Sequence, residues 1–295
     1  MATRTVGASK RIDGEHVLYR YLQSELVQSD IWLFQMLTAR LIVGLGVWLS
    51  PAIYAEFPFL RFYAVRDPDA RGNKAKGIPD RWGSPNKDGL FRDDNSLIKQ
   101  MPYSLPIEGP QNRLYDGARL RKGFVASHAW RQLKDGQGLA ARHRLTYSFV
   151  PNLVWLPREV SKLTDREGSF VQGYIQAISM KLYRSVPIRS ELRSFVDDAW
   201  ALLPEPVGIP IEGLPAASEL NTFSMTEDAL RRWVRDLDRV VDALQRAKER
   251  RQPTGKIVAS RYGVGLSAVS KGRLGRLAEE LADYRQAVGQ DRNPA

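Results

Sequence analysis

The sequence predicts an α+β fold, mostly helical, with a small strand–loop–strand–helix core near its middle. Three observations predict it. Apolar residues recur at steps of three and four over 15–49 and 227–244, the mark of amphipathic helices. Between them, GFVASHAW and RHRLTYSFVPNLVWL are rich in the β-branched and aromatic residues that suit pleated strands. The chain has 295 residues, 43% of them apolar and 26% charged, which is enough to bury a core. The reading divides it into a helical region with a basic loop (1–80), the strand-containing core (81–186) and a second helical region (187–295).

The first helix is expected within 15–49, from YRYLQSELVQSDIWLFQMLTARLIVGL. Its end, LIVGLGVWL at 41–49, is the most hydrophobic stretch, yet it is too short to span a bilayer and lies between Arg40 and Pro51. The basic N-terminus, MATRTVGASKRIDGEH, lacks the apolar run of a signal peptide. The absence of cysteine excludes disulfides and thiolate metal sites. A soluble, cytoplasmic protein is expected.

Pro51, Pro58 and the turn-rich RDPDARGNKAKGIPDRWGSPNKDG (66–89) end the helical region. This stretch carries Arg66, Arg71, Lys74, Lys76, Arg81 and Lys87. It reads as a basic loop that meets a phosphate backbone or as a solvated linker. Next, Asp93 and Asp94 precede SLIK. A restriction-nuclease core would pair such carboxylates with a lysine soon after Glu108, where Gly109 and Pro110 stand instead. The two aspartates are read as an N-cap, since their oxygens accept the free amides of a helix start.

From Tyr115 to Tyr183 the order is strand, polar link (LKDGQGLAA), strand, helix. The second strand is placed to end near Pro151, and the helix is LPREVSKLTDREGSFVQGYIQAISMKLYR. Beyond Pro187 the chain reads as helical, interrupted by the linker PEPVGIPIEGLP (204–215). Ser224-Met-Thr-Glu227 forms a capping-box pattern for a long helix. Its stripe is Leu230, Trp233, Val234, Leu237, Val240, Val241 and Leu244, and it closes in the basic KERRQPTGK (248–256).

The formal charge is +11 and the isoelectric point about 9.9. Such an excess suits a polyanionic partner, because each phosphate neutralised releases condensed counterions. The partner expected is DNA, duplex first, with a homodimer or larger complex as the assembly and no membrane.

His128 closes GFVASH, and Asn152 follows 24 residues later in SFVPNLVWLP. This order resembles the ββα-metal nucleases, the HNH or His-Me-finger group, over about residues 115–180. The resemblance implies that His128 is a general base that activates water and that Asn152 is either a metal ligand or the residue that holds the loop. It also implies Mg²⁺ or Mn²⁺ across the scissile phosphate. Ser127 stands where the group carries Asp, Glu or His, and Ser161-Lys162 where it carries His or Asn. Asp165 is the carboxylate that could complete the metal site. Arg131, Arg142, His143 and Arg144 would grip flanking phosphates, or form the solvated face of a hairpin. The alternative for the pair itself is a half-buried histidine bonded to backbone, with Asn152 capping the helix.

A second pattern, ASRYGVGLSAVSK (259–271), resembles the helix-turn-helix of lac-repressor-like regulators. The resemblance implies a recognition helix from about Leu266 that presents Ser267, Ser270, Lys271 and Arg273 to DNA. Gly265, Gly272 and Gly275 would weaken such a helix, and an ordinary helical hairpin is the alternative. Together these readings point to a metal-dependent DNA endonuclease of HNH type, in a restriction, defence or mobile-element setting. The alternatives are a non-catalytic DNA-binding regulator that uses the C-terminal helices, and a basic scaffold subunit.

Overall fold

The computed structural model describes residues 27–60, 95–110, 112–136, 138–143, 145–164, 168–209, 213–249 and 271–289. The basic loop 66–89, Asp93, Asp94, Asp165 and the segment 259–270 lie outside them. The chain parts into two compact units, Met1–Leu41 and Ile42–Ala295, and the sheet and core belong to the second.

The fold is α+β and mostly helical. Among the described residues there are eight α-helices: α1 (Val27–Leu45), α2 (Pro51–Glu56), α3 (Asn95–Gln100), α4 (Arg158–Ser161), α5 (Phe170–Tyr183), α6 (Ser190–Ala201), α7 (Glu227–Lys248) and α8 (Lys271–Gly289). Five strands, β1 (Val47–Leu49), β2 (Ile107–Glu108), β3 (Phe124–His128), β4 (Leu153–Pro157) and β5 (Asn221–Phe223), form one sheet in the order β2-β5-β1-β4-β3. β1 and β5 are parallel and the other neighbours antiparallel. This one sheet therefore takes strands from all three stretches into which the sequence was divided.

The stretch read as one helix to residue 49 is helix and then strand. α1 stops at Leu45 because the chain turns at Gly46, where a Cβ would lie 2.6 Å from the Ile42 carbonyl. The carbonyls freed by the helix end need donors. The Asn221 amide, in the neighbouring β5, donates to Val43, Gly44 and Gly46, and Tyr115 donates to Leu45. Released from the helix, Val47, Trp48 and Leu49 form the wholly buried central strand.

Two further expectations are corrected. The second strand of the core begins after Pro151 rather than ending there. Proline offers no ladder amide, and Val150–Asn152 make a single 3₁₀ turn before β4. The helix expected from 156 onward is broken: α4 runs on into a 3₁₀ turn, Lys162–Thr164, and α5 starts afresh after Gly168. That glycine takes φ +70°, a left-handed conformation open to a residue without Cβ. Ser169 then caps α5 by accepting the Gln172 amide.

α7 follows its apolar stripe, with Leu230, Trp233, Leu237 and Val240 buried. Its cap is Thr226, whose hydroxyl accepts the Ala229 amide, not Ser224. Ser224 is held by the edge strand instead: its amide donates to Pro106 and its hydroxyl to Glu108. α8 runs antiparallel to α7, with Arg285 on Asp238 and Lys248 facing Glu279.

α8 sends Tyr284 into the aromatic core of Phe57, Phe59 and Phe195. There its hydroxyl donates to the Phe59 carbonyl at 2.8 Å and accepts the Phe59 amide at 3.0 Å. Burial raises this phenol above its ordinary pKa, so it stays a neutral donor. Tyr284→Phe removes both bonds at little cost in volume. It is expected to lower unfolding free energy by about 1–3 kcal/mol in a denaturant titration. An unchanged midpoint would mean that α8 docks through apolar contact alone.

Among the described residues, no helix is long and apolar enough to cross a membrane.

Candidate functional site

β3 and β4 pair in antiparallel register from Phe124↔Pro157 to His128↔Leu153, and α4 and α5 follow. The strand–loop–strand–helix order expected around His128 is present, set at one edge of the larger sheet. His128 closes β3 and is half-buried. Its Nε2 lies 3.0 Å from the Tyr147 carbonyl, and the two rings are 6.0 Å apart. A carbonyl only accepts, so Nε2 carries the proton, and in the neutral ring Nδ1 is then the basic nitrogen. The backbone thus selects the tautomer and fixes the plane of the imidazole.

The carbonyl that does this sits on the long loop between the strands, and Asn152 holds that loop. Asn152 is fully buried. Its amide oxygen accepts the Trp130 amide at 2.7 Å, and its NH₂ donates to the Thr146 carbonyl at 2.8 Å. Its backbone oxygen takes the Ala129 amide. One side chain therefore ties the loop's beginning to its end, immediately beside Tyr147. The Thr146 hydroxyl continues the tie by donating to Ala140.

This geometry selects between the two roles the resemblance offered Asn152. A metal ligand needs a lone pair facing the ion and access to it. The Asn152 oxygen is already engaged at a short distance and sees no solvent, so the residue fits loop-holding and does not fit metal binding. The other named ligand, Asp165, is outside the described residues. Among the described residues, no three His, Asp or Glu side chains gather as a metal ion would require. Ser127 pairs with Val154 and is buried, and the alternation of a strand sends it to the face opposite His128. An aspartate there would bury a charge rather than join the imidazole.

The cations divide as follows. Arg131 is exposed three residues beyond His128. His143 is half-buried, and its Nδ1 accepts the Leu145 amide. Arg142 lies in a 3₁₀ turn of the same loop, with its side chain outside the described set, as is all of Arg144. Lys271 and Arg273 open α8, which continues unbroken to Gly289. Their side chains are not described, and Ser267 and Ser270 lie outside.

The sequence reading missed Gln176 and Ser179. Both are buried on α5, and they donate to the carbonyls of Ala129 and Pro151, clamping the two ends of the loop from below. A signal was present. Gln172, Gln176 and Ser179 recur at steps of four and three inside an otherwise apolar helix face, and buried polar groups at helical spacing imply backbone to be satisfied.

Compared with protein-family models, with curated proteins and with solved structures, the chain matches none.

Proposed function

We propose that this chain is an endonuclease of HNH type that hydrolyses phosphodiester bonds in DNA, with His128 as the general base. What supports the reading is the strand–loop–strand–helix order that sets His128 at a strand end on the edge of the sheet, with a loop locked by Asn152 facing it. The bond from Nε2 to the Tyr147 carbonyl makes Nδ1 the basic nitrogen of the neutral ring. Nδ1 takes a proton from water, the resulting hydroxide attacks phosphorus, and the P–O bond to the leaving strand breaks. The leaving oxygen collects a proton, so water and a diester become a monoester and an alcohol. Arg131, exposed three residues beyond His128, is the residue proposed to hold a flanking phosphate.

The +11 charge supports a polyanionic substrate. Affinity for duplex DNA should therefore fall linearly in log–log form as salt rises, with a slope set by the number of phosphates engaged. A flat response would remove DNA from the reading. Activity is proposed to need Mg²⁺ or Mn²⁺, although Asn152 is withdrawn as its ligand. The test is plasmid nicking by the full chain, free of contaminating nuclease, in Mg²⁺, in Mn²⁺ and in EDTA. Nicking with either ion and its loss in EDTA is the expected result. Intact DNA under every condition would overturn the reading.

A further inference from the structure

We infer that a second site, at the N-terminal end of α7, binds a phosphoryl anion. A cavity of about 470 Å³ opens there, lined by Ser104, Arg119, Thr226, Arg231, Arg232 and Arg235. Asp228 is the single carboxylate in the lining. Two separate segments, the loop before β3 and the first turns of α7, thus bring four guanidinium groups to one hollow, and the turn after α3 adds the Ser104 hydroxyl.

The arginines do different things there. Arg231 is paired with Asp228 at 2.6 Å and Glu227 at 3.2 Å, both well exposed, so these pairs yield readily to a stronger anion. Arg232 is held only by neutral oxygens. It donates to the Ser104 hydroxyl at 3.0 Å and to the Asp228 carbonyl at 3.3 Å, which fixes its plane while the Asp228 carboxylate meets its charge only at longer range. Arg119 and Arg235 also line the hollow, and Arg235 acts on the Asp228 carboxylate electrostatically. The helix start adds the positive end of its dipole.

The balance of charge sets the ligand class. Four guanidinium groups against two carboxylates, Asp228 and Glu227, leave a net positive hollow that suits a multiply charged group. A single carboxylate ligand would leave part of the charge unmet, whereas phosphate oxygens accept several forked guanidinium contacts at once. The same chemistry belongs to a nucleic-acid backbone and to a free phosphoryl compound. The site is not part of the His128 centre. Tyr103, beside Ser104, bonds the Phe124 carbonyl at the start of β3, while His128 ends that strand, roughly 13 Å further along at the usual rise per residue.

The test reads binding alone, so it stands whether or not His128 cleaves anything. The full chain is titrated with a labelled DNA duplex and, separately, with inorganic pyrophosphate. The variant is Arg119→Ala with Arg235→Ala, two exposed side chains. The control is Arg193→Ala with Arg276→Ala, which removes the same charge elsewhere. The pocket variant should melt like the wild type and lose ~10-fold or more in affinity, well beyond the control. Loss on the duplex, with the salt slope reduced by about 2, identifies backbone phosphates. Loss on pyrophosphate alone identifies a free phosphoryl ligand. The proposal is overturned if the wild type binds neither probe. It is equally overturned if the pocket variant binds both as the wild type does, or loses no more than the control.

Discussion

His128→Ala should fold, bind duplex DNA as the wild type does, and nick a plasmid ~10²–10⁴-fold more slowly, the usual loss when a general base is removed. The size of the effect follows from what the side chain does in the structure. Its Nε2 donates to the Tyr147 carbonyl, and it is half-buried at a strand end. Loss of that bond costs on the order of 1 kcal/mol. The reading requires a far larger loss in rate than in stability. His128→Gln keeps a donor for the Tyr147 carbonyl but supplies no basic nitrogen, so it should restore melting and not cleavage. A purely structural histidine gives the reverse pattern: lower melting temperature, with cleavage per folded molecule preserved. That outcome, measured as single-turnover nicking against a melting curve for each variant, would end the general-base reading.

How much of this could be read from the sequence depends on how local each cause is. β3 was legible because GFVASH carries its own strand preference, and α7 because its stripe repeats over many turns. The end of α1 was not. Nothing near Leu45 says that an asparagine far along the chain, Asn221, caps the helix and frees VWL to become the central strand. β2 and β5, of two and three residues, are too short to carry a period. They exist because their neighbours in the sheet pair with them. At α7, Ser224 and Thr226 were equivalent as capping residues by type. Pairing of β2 with β5, which brings Glu108 to Ser224, decided between them.

The candidate site divides in the same way. The order of His128 and Asn152 was legible, and so were the two roles open to Asn152, but the choice between them was not. It rests on the direction of one amide, toward Trp130 and Thr146, across a loop whose only regular pieces among the described residues are short 3₁₀ turns. The arginine pocket was beyond reach, since Ser104, Arg119 and α7 share no sequence neighbourhood.

That choice of roles can be tested at Asn152 itself, where the expected effect is on stability. Asn152→Ala removes the acceptor of the Trp130 amide and the donor to the Thr146 carbonyl, in a position with no access to solvent. Each buried backbone group that loses its partner costs about 1–3 kcal/mol, and the missing side chain leaves a cavity besides. The sum is roughly 3–5 kcal/mol. At about 2–4 °C per kcal/mol for a chain of this size, melting should fall by roughly 6–20 °C. Hydrogen exchange should then quicken first at Trp130, whose amide the side chain holds directly, and less at Ala129, which keeps the backbone oxygen of residue 152. Cleavage should fall too, because Tyr147 directly follows Thr146 and its carbonyl then no longer fixes the imidazole of His128. Asn152→Asp separates the terms. It keeps an acceptor for Trp130, loses the donor to Thr146 and buries a charge, so it should melt no higher than the alanine variant. If Asn152 were a metal ligand, alanine would give a different result. The protein would melt normally in the absence of metal, and only the concentration of Mg²⁺ or Mn²⁺ needed for cleavage would rise. A normal melting curve with weakened metal dependence would return Asn152 to the metal site and leave the loop to its other ties, those from Gln176 and Ser179 among them.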